Sequence, residues 1–311
     1  MKQSLCRFII STFLILNTCI SYAAGSTAAD STQHEVKIKK IIWTGCGITK
    51  KAFMADIASA YKKKFGVEIE LKGGGATKGI RDTKAGISHI GGTCRIPMHN
   101  PAEESMLLKL ILVAWDALVV IVHKDTPINN IRKQELVDVL TGEIKYWREL
   151  SGWQGAAKSS RKINLLTRGS KISGVGFTLR KILFHNIYQD FDSQRVYPSS
   201  GPLEKAIEKE PYSFAVTGIS SARKRDLKVL NLNGITPDYK TIKAGNYFMY
   251  RPLYLTYTSL YKLPKSEKRE VKRFLTFIKS DEAAQIIKAN GVVPFKEGFH
   301  LVRQRQDIFG N

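Results

Sequence analysis

Three turns in the first half of the chain contain the residue types of an anion-binding site. Each turn follows an apolar strand, contains glycine and leads into a predicted helix; the turns are residues 44–49, 73–79 and 91–95. Turns of this kind point backbone N–H groups and the positive end of a helix toward one spot. In a parallel sheet all three lie at the carboxyl edge, so the sequence predicts a shared site for an anion.

A fourth turn, residues 167–175, supplies a guanidinium, hydroxyls and backbone donors from later in the chain. A guanidinium suits a tetrahedral oxyanion because it donates two parallel charge-assisted hydrogen bonds, and Ser and Thr hydroxyls satisfy the remaining lone pairs. Arg95 in the third turn and Arg168 in the fourth are therefore candidate ligand residues. The alternative is that both are ordinary surface arginines of a basic chain.

Sequence signatures of catalysis and of metal binding are missing. The six histidines show neither an HExxH motif nor a clustered metal-ligand spacing. The chain has no GxSxG elbow, and residues 73–78 do not have the spacing of a phosphate-binding P-loop. We therefore expect no enzymatic activity, no metal and no cofactor.

Length and charge restrict the class of protein further. The chain has 311 residues, which suits about two domains, and a formal net charge of +22. A strongly basic balance favours anionic partners. The basic runs lack the interleaved aromatic residues that stack on bases, so we expect no nucleic-acid partner.

Residues 1–23 have the pattern of a cleaved secretory signal: a cationic start, a short apolar stretch and a small-residue exit. Residues 24–34 are rich in Ala, Ser and Thr and are predicted to form a flexible leader. We therefore expect an exported, periplasmic protein. A lipid anchor at Cys19 is the less favoured alternative because Asn17 and Thr18 are poor neighbours for such a cleavage site.

Two cysteines, Cys46 and Cys94, remain after the predicted signal is removed. Both follow apolar segments in glycine-containing turns, and export permits a disulfide. If their strands are neighbours the two sulfurs can meet, but the sequence does not give their distance. A bridge and two free thiols therefore both stay open.

The order of strands and helices predicts an α/β fold with parallel strands and crossover helices. Residues 110–123 are almost continuously apolar and β-branched, as in a strand buried on both faces. We interpret this long segment as a strand that crosses between two lobes, with the lone polar Asp116 near the crossing. Residues 253–258 are a candidate return strand.

The residues 115–127 and 136–150 resemble the hinge strand and following helix of the periplasmic phosphate-binding proteins of ABC importers. Residues 250–254 and 291–294 are similar to the return strand and closing motif of that family. The resemblance covers about residues 38–296. It implies a type II periplasmic-binding fold, with lobe one formed by residues 35–118 and 255–311, lobe two by 119–254, and Asp116 at the hinge.

The resemblance also implies a set of ligand residues from three of the four turns. In this sequence the set comprises Thr49, Lys50, Ala76, Thr77, Arg168, Ser173, Gly174 and Val175. Three positions depart from the family pattern. Ala76 and Val175 lack hydroxyls that are usual in the family, and Arg95 stands where the best-known members carry an aspartate that distinguishes phosphate from sulfate.

The function that this resemblance implies is the capture of phosphate, or a similar oxyanion, for ABC-type import. The partners would be the membrane subunits of the importer, and the binding protein itself would be a monomer. The alternative is a secreted or surface interaction protein on the same fold that has lost or changed its anion specificity.

Overall fold

The structure is a computed structural model that describes residues 40–103, 105–258, 260 and 263–305. The predicted signal and leader, residues 1–34, lie outside the described residues. A mixed β-sheet with strand order β2-β1-β3-β11-β4-β8-β6-β7 forms the centre, with β9 and β12 paired to β4, and β5 pairs separately with β10. All described residues belong to one compact unit.

The strands are β1 (Lys40–Gly45), β2 (Glu68–Lys72), β3 (Ile90–Thr93), β4 (Leu108–Val122), β5 (Asn130–Ile131), β6 (Asn164–Arg168), β7 (Arg195–Tyr197), β8 (Ser213–Gly218), β9 (Lys228–Val229), β10 (Asn231–Leu232), β11 (Tyr250–Thr258) and β12 (Val293–Pro294). The α-helices are α1 (Gly47–Thr49), α2 (Ala55–Phe65), α3 (Gly75–Lys84), α4 (Lys133–Thr141), α5 (Gly174–Phe184), α6 (Ser200–Lys209), α7 (Ile219–Ala222), α8 (Tyr239–Lys243), α9 (Lys265–Phe277), α10 (Asp281–Ala289) and α11 (Leu301–Gln304). A π-helical turn, Lys50–Met54, joins α1 to α2, and Trp147–Glu149 form a 3₁₀ turn.

The first three strands are parallel, as predicted. Strand β1 lies between β2 and β3, and its buried Trp43 is opposite Ile90 of β3. The last residue of β1, Gly45, is opposite Gly92. The turns that follow β1 and β3 therefore begin side by side at the same edge of the sheet.

The long apolar segment forms one strand, β4, which belongs to both halves of the sheet. Its residues up to Ala117 pair with β11, and from Leu118 onward it pairs with β8. This confirms the predicted crossing strand. The predicted return strand is also present, but β11 begins at Tyr250 and pairs with β3 and β4 along its length. The predicted lobe bounds stay a prediction, and the bound at 254/255 falls inside β11.

Within the described part of the chain, no helix combines the length and the apolar character needed to cross a membrane.

Glycine is required in β3 because α3 and β11 approach its backbone closely. A Cβ added to Gly91 would lie 2.3 Å from the Gly79 carbonyl oxygen and 2.4 Å from the Oγ1 atoms of Thr83 and Thr256. We expect Gly91→Ala to lower the free energy of unfolding by about 2 to 3 kcal/mol, because the added methyl overpacks a rigid site. Denaturant unfolding measures this. Gly73→Ala is the control, since its Cβ meets no atom within 4 Å; equal stability of both variants would contradict the packing argument.

Candidate anion-binding site

The four predicted turns meet at one place. The Cys46 N–H donates to the Gly92 carbonyl at 3.0 Å, which joins the first turn to β3. A Cβ added to Gly174 would lie 2.3 Å from Sγ of Cys94 and 3.0 Å from Cβ of Ala76. The fourth turn therefore packs directly on the second and third turns.

Helix α5 begins at this meeting point. Ser173 is its N-cap, and the Ser173 Oγ accepts the Gly176 N–H at 3.0 Å. The N–H groups of Gly174 and Val175 precede the first hydrogen bonds of the helix and have no partner within it. Both residues are buried. The start of α5 therefore offers two backbone donors, the positive end of the helix and the Ser173 O–H to an anion.

Arg168, the last residue of β6, contributes a cation with an unused donor. Its Nη1 donates to the Ser200 Oγ at 3.0 Å and its Nη2 to the Pro198 carbonyl at 2.8 Å. Its Nε is buried and has no hydrogen-bond partner among the described residues. Burial lowers the pKa of Arg168, whereas Cys94 and Cys46 raise it. The guanidinium thus lies near both cysteines, and its Nε–H lacks an acceptor among the described residues.

Arg251 is a second cation at the site, and the sequence analysis did not include it in the ligand set. It is 0% exposed. Its Nη2 contacts Asp116 Oδ2 and its Nη1 contacts the Gly174 carbonyl, both at 3.4 Å, while its Nε has no partner among the described residues. Its position as the one charged residue of β11, a strand rich in apolar and aromatic residues, was the signal that could have found it.

Asp116 lies next to the point where β4 changes its pairing partner. Its Oδ1 accepts the O–H of Ser220 at 2.5 Å and the N–H of the same residue at 3.2 Å. Its Oδ2 faces Arg251. The carboxylate therefore ties β4 to α7 and β11, which fits the predicted hinge position.

Arg95, which was predicted as a ligand residue, donates all of its guanidinium N–H groups within the fold. Its five N–H groups donate to the carbonyls of Ile172 and Ile96, to Thr77 Oγ1 and to both oxygens of Glu103. No N–H of Arg95 is left for an anion. The prediction missed Glu103 because a carboxylate eight residues away carries no signal of its own.

The Arg95–Glu103 contact is a buried, bidentate ion pair with distances of 2.6 and 2.7 Å. Burial opposes ionisation of Glu103, but the hydrogen bonds and charge of Arg95 hold its pKa below the usual value. The pair fixes the third turn. The Ile172 carbonyl of the fourth turn accepts hydrogen bonds from Arg95 Nε at 2.7 Å and from Thr77 Oγ1 at 3.1 Å, so the fourth turn is bound to the second and third turns.

The first and second turns use most of their predicted donors internally. The N–H of Thr49 donates to Cys46 Sγ at 3.3 Å, and the N–H of Lys50 to the Cys46 carbonyl at 3.0 Å. The Thr49 hydroxyl contacts the same sulfur at 2.8 Å. The Thr77 hydroxyl donates to Ile172. Ala76 is buried and offers only its backbone N–H, at the second position of α3.

Cys46 and Cys94 are buried free thiols in neighbouring turns, and each shifts the pKa of the other. Burial, together with Cys94, raises the pKa of Cys46 well above its usual value. The hydrogen bond from Cys46 lowers the pKa of Cys94 to about 6; Arg251 and Arg168 also lower it, while burial and Asp116 oppose the shift. Arg251 and Arg168 therefore favour the thiolate form of Cys94.

Comparison with known proteins places the chain in a family. Residues 26–282 match the model of the PBP superfamily domain. The chain belongs to the PBP superfamily. This confirms the resemblance drawn from the sequence.

Two relatives cover most of this PBP-superfamily chain. It is 24% identical to the phosphate-binding protein PstS of Borreliella burgdorferi (83% of this chain, 91% of the relative). It is 23% identical to the phosphate-binding protein PstS of Bacillus subtilis (92% of each).

Solved structures of the PBP superfamily share the fold. A Clostridium perfringens structure described as a phosphate ABC transporter substrate-binding protein with bound phosphate matches with a TM-score of 0.71 at 22% identity (82% of this chain, 99% of that chain). An ABC-type phosphate transport receptor from Vibrio cholerae matches with a TM-score of 0.61 at 21% identity (81% and 99%). The predicted type II periplasmic-binding fold is thereby confirmed.

The charge of Cys94 gives a test of this site. A thiolate absorbs ultraviolet light more strongly than a thiol, so the reduced protein should show an absorbance step with a midpoint near pH 6, thiol below and thiolate above. The step belongs to the thiol pair, which faces Arg251, Arg168 and Asp116. Cys94→Ser should remove it. A single step near the ordinary cysteine pKa would show that the arginines do not act on this sulfur.

Proposed function

We propose that this protein captures phosphate for an ABC-type importer and performs no chemistry on it. The relatives named phosphate-binding protein PstS, and the structural neighbour described with bound phosphate, support the ligand. The predicted signal at residues 1–23 supports a periplasmic location. We further propose that the protein acts as a monomer, that the importer's membrane subunits are its partners, and that the lobes have the bounds predicted from the sequence.

One observation carries the proposal: two arginines at the same site each hold a buried Nε–H that has no acceptor among the described residues. A buried donor without a partner costs about 1–3 kcal/mol, and more when it is charged. Arg168 and Arg251 meet the N-terminus of α5 at this point, so donors and positive charge converge there. A tetrahedral oxyanion has acceptor oxygens in several directions and satisfies such donors together.

The proposed ligand set differs from the predicted one in two respects. Arg168, Ser173, Gly174 and Val175 remain, with the Ala76 backbone, and Arg251 is added. Arg95, Lys50 and Thr77 instead hold the turns in position. Thr49 stays in the set as a hydroxyl next to Cys46.

Selectivity must come from groups other than a free carboxylate. Among the described residues at the site, Asp116 is held by Ser220 and Arg251, and Glu103 by Arg95. Both carboxylates are thus already paired with an arginine of the fold. Sulfate is therefore the informative competitor in any binding measurement.

Arg168→Ala tests the ligand set. We expect the variant to lose about 2 kcal/mol of phosphate binding free energy, because a charge-assisted contact is removed from a largely buried site. Calorimetric titration measures the affinity. Arg161→Ala removes an exposed arginine of the same lobe and should leave the affinity unchanged.

Three outcomes would contradict the proposal or a part of it. An equal affinity in Arg168→Ala and wild type would remove Arg168 from the ligand set. Failure of the wild-type protein to bind phosphate or sulfate would favour the interaction-protein alternative, and binding of sulfate alone would change the anion.

A further inference from the structure

The two cysteines occupy the centre of the site, where four structural elements meet. Cys46 follows β1 and Cys94 follows β3, and these strands are parallel neighbours with Gly45 opposite Gly92. The thiols are 5% and 2% exposed. Each side chain shifts the pKa of the other, so the two thiols are neighbours in the fold.

The surroundings of Cys94 connect this pair to both halves of the sheet. The Cys94 carbonyl accepts the Thr178 O–H of α5 at 3.0 Å. The start of α5 at Gly174 packs against its sulfur. Arg168 and Arg251, the two cations with unused Nε donors, act on the same sulfur. The sulfur therefore lies where an anion would contact the arginines.

We propose that Cys46 and Cys94 are a reversible dithiol–disulfide pair that sets the anion affinity of the site, with the disulfide as the high-affinity state. The effect on affinity rests on the proposed phosphate-binding function. The formation of the Cys46–Cys94 disulfide does not depend on that function.

The oxidation balances with a small-molecule disulfide as oxidant. The Cys94 thiolate attacks one sulfur of the oxidant, the oxidant's S–S bond breaks, and one thiolate leaves. Cys46 gives its proton to that leaving thiolate and attacks the Cys94 sulfur of the mixed disulfide, which releases the second thiolate. Two electrons pass to the oxidant, and one S–S bond forms in the protein.

The loss of the negative charge on Cys94 explains why oxidation should raise the anion affinity. In the dithiol state a negative Cys94 neutralises the arginines and repels an incoming anion. In the disulfide state neither sulfur is charged, so Arg168 and Arg251 are left to the anion. We expect oxidation to tighten phosphate binding about tenfold, as the loss of one like-charge contact in a desolvated site would produce.

The experiment compares one protein in two redox states. The purified protein is treated either with a phosphine reductant or with oxidised glutathione, without denaturant. Alkylation in denaturant after the reagent is removed, followed by intact-mass analysis, counts the free thiols; calorimetric titration of the native protein gives the phosphate affinity of each state. Oxidised protein should resist alkylation at both positions and bind phosphate about tenfold more tightly than reduced protein.

Two variants separate charge from cross-linking. Cys94→Ser removes the thiolate, and under reducing conditions it should bind phosphate like the oxidised wild type. Cys46→Ser keeps Cys94 but cannot form the disulfide. Its phosphate affinity should therefore not rise after the variant is treated with the oxidant and the oxidant is removed. Thermal unfolding of each variant shows whether it is folded.

The outcomes distinguish this inference from the proposed function. Alkylation of both cysteines after oxidant treatment would overturn the disulfide. A disulfide with unchanged phosphate affinity would overturn its control of the site. A disulfide in a protein that binds no phosphate in either state would refute the phosphate proposal and retain only the redox pair.

Discussion

Arg251 is a cation without solvent exposure, and the arrangement of the site depends on how its charge is neutralised. A buried charge without a partner costs several kcal/mol. Asp116 supplies the carboxylate, and Ser220 holds that carboxylate from α7. Asp116 is on β4, Arg251 is on β11 and Ser220 is on α7. The contacts of the Asp116 carboxylate therefore join the two crossing strands to α7.

The arginines of the site divide into two kinds by their hydrogen bonds. Arg95 is saturated by Glu103, Thr77 and two carbonyls, so it acts as a structural clamp. Arg168 and Arg251 each retain a buried donor with no acceptor among the described residues. Only arginines with an unpaired donor can gain a hydrogen bond from an anion. The proposed ligand set therefore includes Arg168 and Arg251 and leaves Arg95 out.

Much of the fold could be predicted from the sequence because the relevant signals are local. The apolar β-branched run of β4 and the glycine turns after parallel strands predicted both the crossing strand and the convergence of the turns. The partners of the arginines could not be predicted in this way. Arg251 reaches the site because β11, from late in the chain, inserts between β3 and β4, and this pairing depends on the whole sheet.

The arrangement of Cys46 and Cys94 could be predicted from the sequence only in part. The sequence indicated that the thiols could meet if their strands were neighbours, and β1 and β3 are neighbours in the sheet. The charge on Cys94 depends on Arg251 and Arg168, which approach from other parts of the chain. Local patterns thus predict the turns, whereas tertiary contacts determine their electrostatics.

A crystal structure of the protein grown with phosphate tests the central claim most directly. We predict a phosphate at the start of α5, with its oxygens accepting the Nε–H groups of Arg168 and Arg251 and the backbone N–H groups of Gly174 and Val175. A phosphate bound elsewhere, or an ordered site in which those arginine donors still have no acceptor at saturating phosphate, would contradict it.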